Sequence, residues 1–196
     1  LTDGSSQFGL SLASSTNSFA FNNTVEVGSD YACQLSSTNT VLFENNTCVG
    51  NGGVYTTYLG GAIATSFINN TLGGSSTYAL YMTSSADINV IENNTLTRNF
   101  RIDGNDNNVS YNNISGSGAY IYLFNNAYNN MIKENVVLQT GSYGVRIGTN
   151  AYNNIIINNN LSVSAVDIIQ DNSGVSTYNQ LIYNNSYGEI YWNATD

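Results

Sequence analysis

The chain has 196 residues, of which 34 are asparagine and 15 are tyrosine, and it contains no proline and no histidine. Only 9% of the residues are charged, and four lysines and arginines stand against 13 aspartates and glutamates, for a formal net charge of −9. The length fits one domain, and the acidic balance excludes the basic surface that nucleic acids and anionic lipids require. No apolar run approaches the roughly 20 residues that span a bilayer.

A strand motif recurs from the beginning of the chain. It consists of an aromatic residue, a small residue and then alternating apolar positions, and it occupies residues 8–12, 31–35, 78–82 and 143–147. Strict alternation is typical of a strand with one buried face. Each copy leads into a turn rich in serine, asparagine and glycine, so each repeat is predicted to hold two or three short strands and no helix.

A second motif, Asn-Asn-Thr-apolar, follows the strands at residues 22–25, 45–48, 69–72 and 93–96, with spacings of 23, 24 and 24 residues. A looser pattern continues it, and one asparagine of each copy forms a series at positions 23, 46, 70, 94, 112, 135, 159 and 185. A repeat of this length without helices favours coils that stack in parallel. The sequence therefore predicts an all-β, right-handed parallel β-helix solenoid of eight or nine coils, with an internal asparagine ladder and a single domain over residues 1–196.

Two cysteines, Cys33 and Cys48, fall at positions that the repeat register places inside the solenoid. Two cysteines do not make a disulfide framework. We expect buried free thiols, with a bridge between the two residues as the alternative.

The segments at residues 91–96 (Ile-Glu-Asn-Asn-Thr-Leu) and 143–147 (Tyr-Gly-Val-Arg-Ile) resemble the parallel β-helix repeats of pectin-lyase-like proteins. That group includes carbohydrate-binding and sugar-hydrolase repeats and many surface proteins of prokaryotes, and the resemblance covers nearly the whole chain. It implies the fold and a glycan-related setting. No catalytic motif of the family can be laid onto this sequence.

The shortest coil, with 18 residues between ladder asparagines, carries the densest charges. Arg101, Asp103 and Asp106 are therefore the weak catalytic candidates, since paired carboxylates can act as acid and base in glycoside hydrolysis. The sequence Asp-Gly-Asn-Asp-Asn at 103–107 also echoes the start of a calcium loop, without the loop's glycine or closing glutamate. The alternative is a charged turn, and we predict no catalytic residue, metal or cofactor.

Three tyrosines, Tyr128, Tyr152 and Tyr178, occupy the same turn of successive coils and are followed by asparagine. Aromatic rings in a row can contact sugars, and the adjacent amides can reach hydroxyl groups. These tyrosines are the predicted ligand-binding residues. The alternative is that they simply cover a corner of the solenoid.

Several asparagines stand in Asn-x-Ser/Thr sequences, and many of them precede an inward ladder residue and should face solvent. The glycosylation candidates are Asn22, Asn45, Asn69, Asn93, Asn108, Asn113, Asn160, Asn184 and Asn193.

The sequence favours a non-catalytic structural or adhesive module of an extracellular or cell-surface protein, which contacts glycans or other surface proteins. The first alternative is a polysaccharide lyase or glycoside hydrolase of the same fold. The second is a virion or filament component that assembles end to end. Because neither terminus offers a capping element, we also expect that the chain continues in a longer protein or associates through its ends.

Overall fold

The computed structural model describes residues 8–28, 31–124, 126–138, 143–148, 150–162, 166–171, 181–183, 185 and 190–193. Within these ranges the chain forms strands, turns and bends, and no helix. The strands build three parallel sheets, and successive strands of the chain pass from one sheet to the next. The predicted all-β parallel solenoid is thus confirmed.

The sheets contain nine, eight and seven strands. The first sheet contains, in spatial order, β1 (Leu10–Ala13), β4 (Cys33–Ser36), β7 (Tyr55–Gly60), β10 (Tyr78–Met82), β13 (Asn99–Ile102), β16 (Ile121–Leu123), β19 (Tyr143–Ile147), β22 (Val166–Asp171) and β24 (Ile190–Asn193). The second contains β2 (Phe19–Phe21), β5 (Leu42–Glu44), β8 (Ser66–Ile68), β11 (Val90–Glu92), β14 (Asn108–Ser110), β17 (Met131–Lys133), β20 (Ile155–Ile157) and β23 (Leu181–Tyr183). The third contains β3 (Thr24–Val27), β6 (Thr47–Gly50), β9 (Thr71–Gly74), β12 (Thr95–Leu96), β15 (Asn113–Ile114), β18 (Val136–Leu138) and β21 (Asn160–Ser162).

Each strand pairs with the strand one coil away, so equivalent residues of successive repeats lie side by side. Phe43, for example, pairs with Phe67, which pairs with Ile91. About six complete turns lie between Asn23 and Asn159, slightly fewer than the eight or nine coils predicted.

The interior is a continuous column of apolar side chains, because alternate residues of every strand point inward. Phe43 and Phe67 stack with ring centroids 4.8 Å apart and planes 5° apart, and both are fully buried. Burial of each such side chain stabilises the fold by roughly 1.5–3 kcal/mol. The core therefore extends along the solenoid instead of closing around one centre.

The predicted asparagine ladder forms at the tight turn between the second and third sheets. The backbone N–H and the side-chain amide of Asn70 both donate to Oδ1 of Asn94, at 2.8 and 3.0 Å. The same amide donates to the carbonyl oxygen of Phe43 at 3.0 Å. Because this amide is fully buried, these bonds satisfy polar groups that would otherwise be costly to bury.

The residue before each ladder asparagine from Asn23 to Asn159 has a left-handed backbone. Its φ is 58° at Asn22, 55° at Asn45, 57° at Asn69 and 56° at Asn93. Asparagine tolerates this region better than most side chains. The doubled asparagines therefore have two different roles, a turn conformation followed by a ladder contact.

A second ladder, which the sequence reasoning missed, lies at the corner between the first and second sheets. It consists of the buried side chains Asn89, Asn107, Asn130 and Asn154. Each of these stands five residues before a member of the first ladder. That constant offset was the signal that could have identified it.

The expectation of free thiols is wrong: Cys33 and Cys48 form a disulfide, with Cα atoms 6.0 Å apart. Their predicted interior position is confirmed, since both are fully buried. The residues belong to β4 in the first sheet and β6 in the third, so inward side chains of one coil meet across the narrow interior. The Cα separation lies within the range that a disulfide requires.

Candidate functional site

The outer surface of the first sheet concentrates aromatic and cationic side chains in two rows, which we call the tyrosine face. The first row contains Phe8, Tyr31, Tyr55, Tyr78, Asn99, Tyr120 and Tyr143. The second row contains Gln34, Tyr58, Tyr81, Arg101, Tyr122 and Arg146. The aromatic position of the strand motif generates the first row. Where the motif is complete, two consecutive residues point inward, as Ala79 and Leu80 do, so the second row lies on the same face three residues after the first.

The rings at the N-terminal end of this face stack on one another along the solenoid. The centroids of Tyr31 and Tyr55 are 5.9 Å apart, those of Tyr31 and Tyr58 are 4.9 Å apart, and those of Tyr55 and Tyr81 are 4.6 Å apart, with interplanar angles of 22–29°. Near-parallel rings at these separations overlap face to face with an offset. Ring edges and phenol hydroxyls, and not flat ring faces, are therefore what these stacks offer to a ligand.

The first row is interrupted at Asn99. Strand β13 lacks the small residue of the motif, so the register shifts between Tyr78, which pairs with Asn99, and Leu80, which pairs with Phe100. Such a bulge re-aims the neighbouring side chains. The side-chain oxygen of Asn99 accepts a hydrogen bond from the backbone N–H of Tyr120 at 3.2 Å.

An ion pair lies beside this interruption. Nε of Arg101 donates to Oδ1 of Asp103 at 2.8 Å, and Nη2 donates to Oδ2 at 2.7 Å. The hydroxyl of Tyr81 donates to Oδ2 of Asp103 at 3.2 Å. The guanidinium carbon of Arg101 lies 4.8 Å from the ring centroid of Tyr81 and 4.7 Å from that of Phe124, a cation–π geometry on both. Arg101 thus takes the place of an aromatic ring in the second row.

The protonation of these groups follows from their contacts. The hydrogen bond to Asp103 raises the pKa of Arg101, against the opposing effect of burial. Burial raises the pKa of Tyr81 above its usual value of 10.0, and the charge of Asp103 raises it further. Burial likewise raises the pKa of Tyr55. The cluster therefore holds a fixed cation, and the phenols of Tyr81 and Tyr55 stay protonated at neutral pH.

Of the three catalytic candidates, the structure brings Arg101 and Asp103 together. Asp103 is 3% exposed, and both of its carboxylate oxygens accept hydrogen bonds from Arg101. Asp106 is exposed at a corner instead, where Oδ1 accepts the side-chain amide of Asn129 at 3.1 Å. In the part of the chain that the structure describes, no group of three His, Cys, Asp or Glu residues is placed to hold a metal ion.

Two of the three predicted ligand-binding tyrosines are placed together at the corner between the first and second sheets. Tyr128 and Tyr152 are bridged through their backbones and stack with centroids 5.0 Å apart and planes 12° apart. Tyr178 lies outside the described residues. Sugar binding by these residues remains a prediction.

The glycosylation candidates differ in exposure. Those with exposed side chains are Asn22, Asn45, Asn69, Asn93, Asn113 and Asn160. Asn108 is half-buried, and its Oδ1 has no hydrogen-bond partner. Asn184 and the side chain of Asn193 lie outside the described part. Modification of any of these residues remains a prediction.

No helix among the described residues is long and apolar enough to cross a membrane. In comparisons with known proteins, no family model and no curated protein matches the chain.

Two solved structures resemble it. One is a mutant of the periplasmic alginate epimerase AlgG, with a TM-score of 0.64 and 15% identity over 86% of this chain. The other is the Streptococcus pneumoniae surface protein and adhesin PfbA, with a TM-score of 0.54 and 13% identity over 93% of this chain. The chain spans 46% of the epimerase and 66% of the adhesin. At these identities the likeness establishes the parallel β-helix fold that all three share.

Proposed function

We propose that this chain is a non-catalytic module of a cell-surface or secreted protein, and that it contacts glycans through the tyrosine face. The observation that carries the proposal is the pair of rows on the first sheet, in which every coil from Tyr31 to Tyr143 except that of Asn99 carries at least one tyrosine. Sugars present many hydroxyl groups, so a regular array of hydrogen-bond donors and acceptors on a rigid sheet suits them. Two asparagine ladders at the corners of the coils join each coil to the next by hydrogen bonds.

The disulfide supports a location outside the cytoplasm. Disulfides persist in oxidising compartments and are rare in cytosolic proteins. The pair Cys33–Cys48 joins two sheets of one coil in the core. The periplasmic and surface-exposed neighbours are consistent with the same location.

The enzymatic alternative, a polysaccharide lyase or glycoside hydrolase, finds less support in the geometry. A general acid or base must exchange a proton with a substrate. Asp103 is buried in a bidentate ion pair, and Tyr81 is held in its neutral form. Asp106 is the exposed carboxylate of the three candidates, and a turnover screen with the Asp106→Asn variant tests it. Cleavage or epimerisation that this change abolishes would establish the enzyme instead.

A binding screen tests the module directly. The purified chain is exposed to immobilised neutral and acidic polysaccharides, and the variants Tyr58→Ala and Tyr152→Ala are compared with it. We expect wild-type binding that Tyr58→Ala weakens at least tenfold and Tyr152→Ala leaves within twofold. Loss of binding in Tyr152→Ala alone would move the site to the predicted corner, and absence of any binding would contradict the proposal.

A further inference from the structure

Tyr78 is the last ring in the stack that begins at the N-terminal end of the tyrosine face. Tyr31 stacks with Phe8, Tyr55 and Tyr58, and Tyr55 stacks with Tyr31, Tyr78 and Tyr81. Tyr78, by contrast, has Tyr55 as its aromatic partner on one side and the shorter Asn99 on the other, among the described residues. The stack stops at Tyr78, so one face of its ring is not covered by a further ring.

Beyond Asn99 the next two rings of the row do not stack on one another. Tyr120 lies next to Asn99, because Phe100 pairs with Ile121, and its ring stands at 88° to that of Tyr143. The backbones of Tyr78 and Tyr120 are therefore two strand spacings apart, about 9.6 Å. A ring in van der Waals contact with both neighbours needs about 4 Å on each side. In the first row, only the shorter side chain of Asn99 stands between Tyr78 and Tyr120, which leaves a gap about one ring wide.

From this gap we infer that the break at Asn99 is the principal subsite of the tyrosine face, and that it takes a single uncharged pyranose ring. The inference rests on the proposed function. The apolar face of the sugar packs on the open face of Tyr78, and the side-chain amide of Asn99 donates to its hydroxyls. A sugar bound here occupies the position in the first row that the short side chain of Asn99 leaves unfilled.

The surrounding charges select a neutral sugar. Two cations lie near the gap: Arg101 is engaged by both carboxylate oxygens of Asp103 and by the side chain of Tyr78, and Arg98, which precedes Asn99, donates to the carbonyl oxygen of Thr97. A uronate would bring a second carboxylate to the Arg101–Asp103 pair, on a chain that carries a formal charge of −9. Like charges at close range disfavour binding.

The subsite is tested by a substitution that fills the gap with a protein side chain. In the Asn99→Tyr variant the row is continuous, so affinity for cellohexaose, or for whichever neutral hexamer the wild type binds best, should fall at least tenfold. Thermal unfolding of the variant is measured alongside to establish that it folds. Tyr78→Ala removes the open ring face and should give the same loss, whereas Phe19→Ala, which removes an exposed ring from the second sheet, should keep affinity within twofold.

The outcomes separate this inference from the proposed function. Wild-type binding that survives in folded Asn99→Tyr and in Tyr78→Ala would overturn the subsite while leaving the tyrosine face intact. No wild-type binding to any hexamer would overturn the proposed function itself. Tighter wild-type binding to hexagalacturonate than to neutral hexamers would overturn the selection of uncharged sugars.

Discussion

Single residues at the corners of the coils carry most of the backbone strain of this fold. The corner between the first and second sheets uses a left-handed residue in coil after coil, and in the later coils it is Asp106, Asn129 and Asn153. These side chains suit that conformation. Ile88 occupies the same position with φ of 60° and is 61% exposed. A β-branched residue is poorly suited to this region, so Ile88 is a local conflict between sequence and fold.

Replacement of Ile88 by asparagine should remove that conflict. Because the left-handed conformation costs most side chains about 1–2 kcal/mol, we expect Ile88→Asn to stabilise the chain by about 1 kcal/mol in urea unfolding. Ile63→Asn is the matched control, because Ile63 is also partly exposed and has no left-handed backbone. Equal effects in both variants would mean that exposed apolar area, and not backbone strain, is responsible.

The phenol of Tyr81 should make the fold sensitive to alkali. Its pKa is raised in the folded chain, so the folded state keeps this proton above pH 10 while the unfolded state releases it. The associated stability is therefore complete below pH 10 and is lost progressively above it. We expect Tyr81→Phe to reduce the fall in unfolding free energy between pH 8 and pH 11, as measured by denaturant titration at both values. Tyr128→Phe controls for the loss of a hydroxyl.

The ladders and strands show how far sequence reasoning reaches at the scale of elements. The first ladder was predictable, because the tight turn repeats with few changes and its asparagines stand in a fixed motif. The second ladder was not predicted because the residue that precedes each of its corner positions varies, from Ala64 and Ile88 to Asn129 and Asn153. The disulfide and the tyrosine face depend on which positions of different strands meet across space. Spacing along the chain does not show which strands lie side by side. The tyrosine face was therefore not predicted, and the corner tyrosines were predicted as the ligand-binding residues instead.

The position of an asparagine within its ladder should determine its energetic value. Asn94 is buried, accepts from Asn70 and donates to Asn112, so Asn94→Ala leaves several buried polar groups unpaired. We expect a loss of about 3 kcal/mol or more. Asn23 lies at the half-buried end of the ladder, and Asn23→Ala should cost about 1 kcal/mol in the same unfolding experiment. Similar losses at the two sites would contradict this account.

At the scale of the whole molecule, every pairing between strands joins neighbouring coils. Stability in such an array is a sum over coils and their interfaces, with no contact that depends on distant parts of the chain. This explains why the repeat predicted the architecture so well. It also explains why the number of coils was harder to predict, since no closure condition fixes it.

A whole coil should therefore be removable. Deletion of residues 71–94 joins Asn70 to Thr95. Asn70 holds the same ladder position as Asn94, and Thr95 pairs in register with Thr71, so the new junction has the same geometry as the native one. We expect the shortened chain to keep its strand signal in circular dichroism and a cooperative thermal transition. Deletion of residues 71–82, half a coil, should abolish both, because it breaks the register of all three sheets. Failure of both variants to fold would mean that coils are not independent units.

The scarcity of charge has a consequence for the environments that this chain can tolerate. The pair Arg101–Asp103 is the salt bridge found in the described ranges, and the buried ladders are held by hydrogen bonds between uncharged amides. Dissolved ions screen charges over distances of about 10 Å at 0.1 M, but they leave hydrogen bonds between buried amides intact. Rising salinity should weaken the mutual repulsion of the acidic groups and little else. A solenoid held together by amides is thus suited to fresh water and to brine alike.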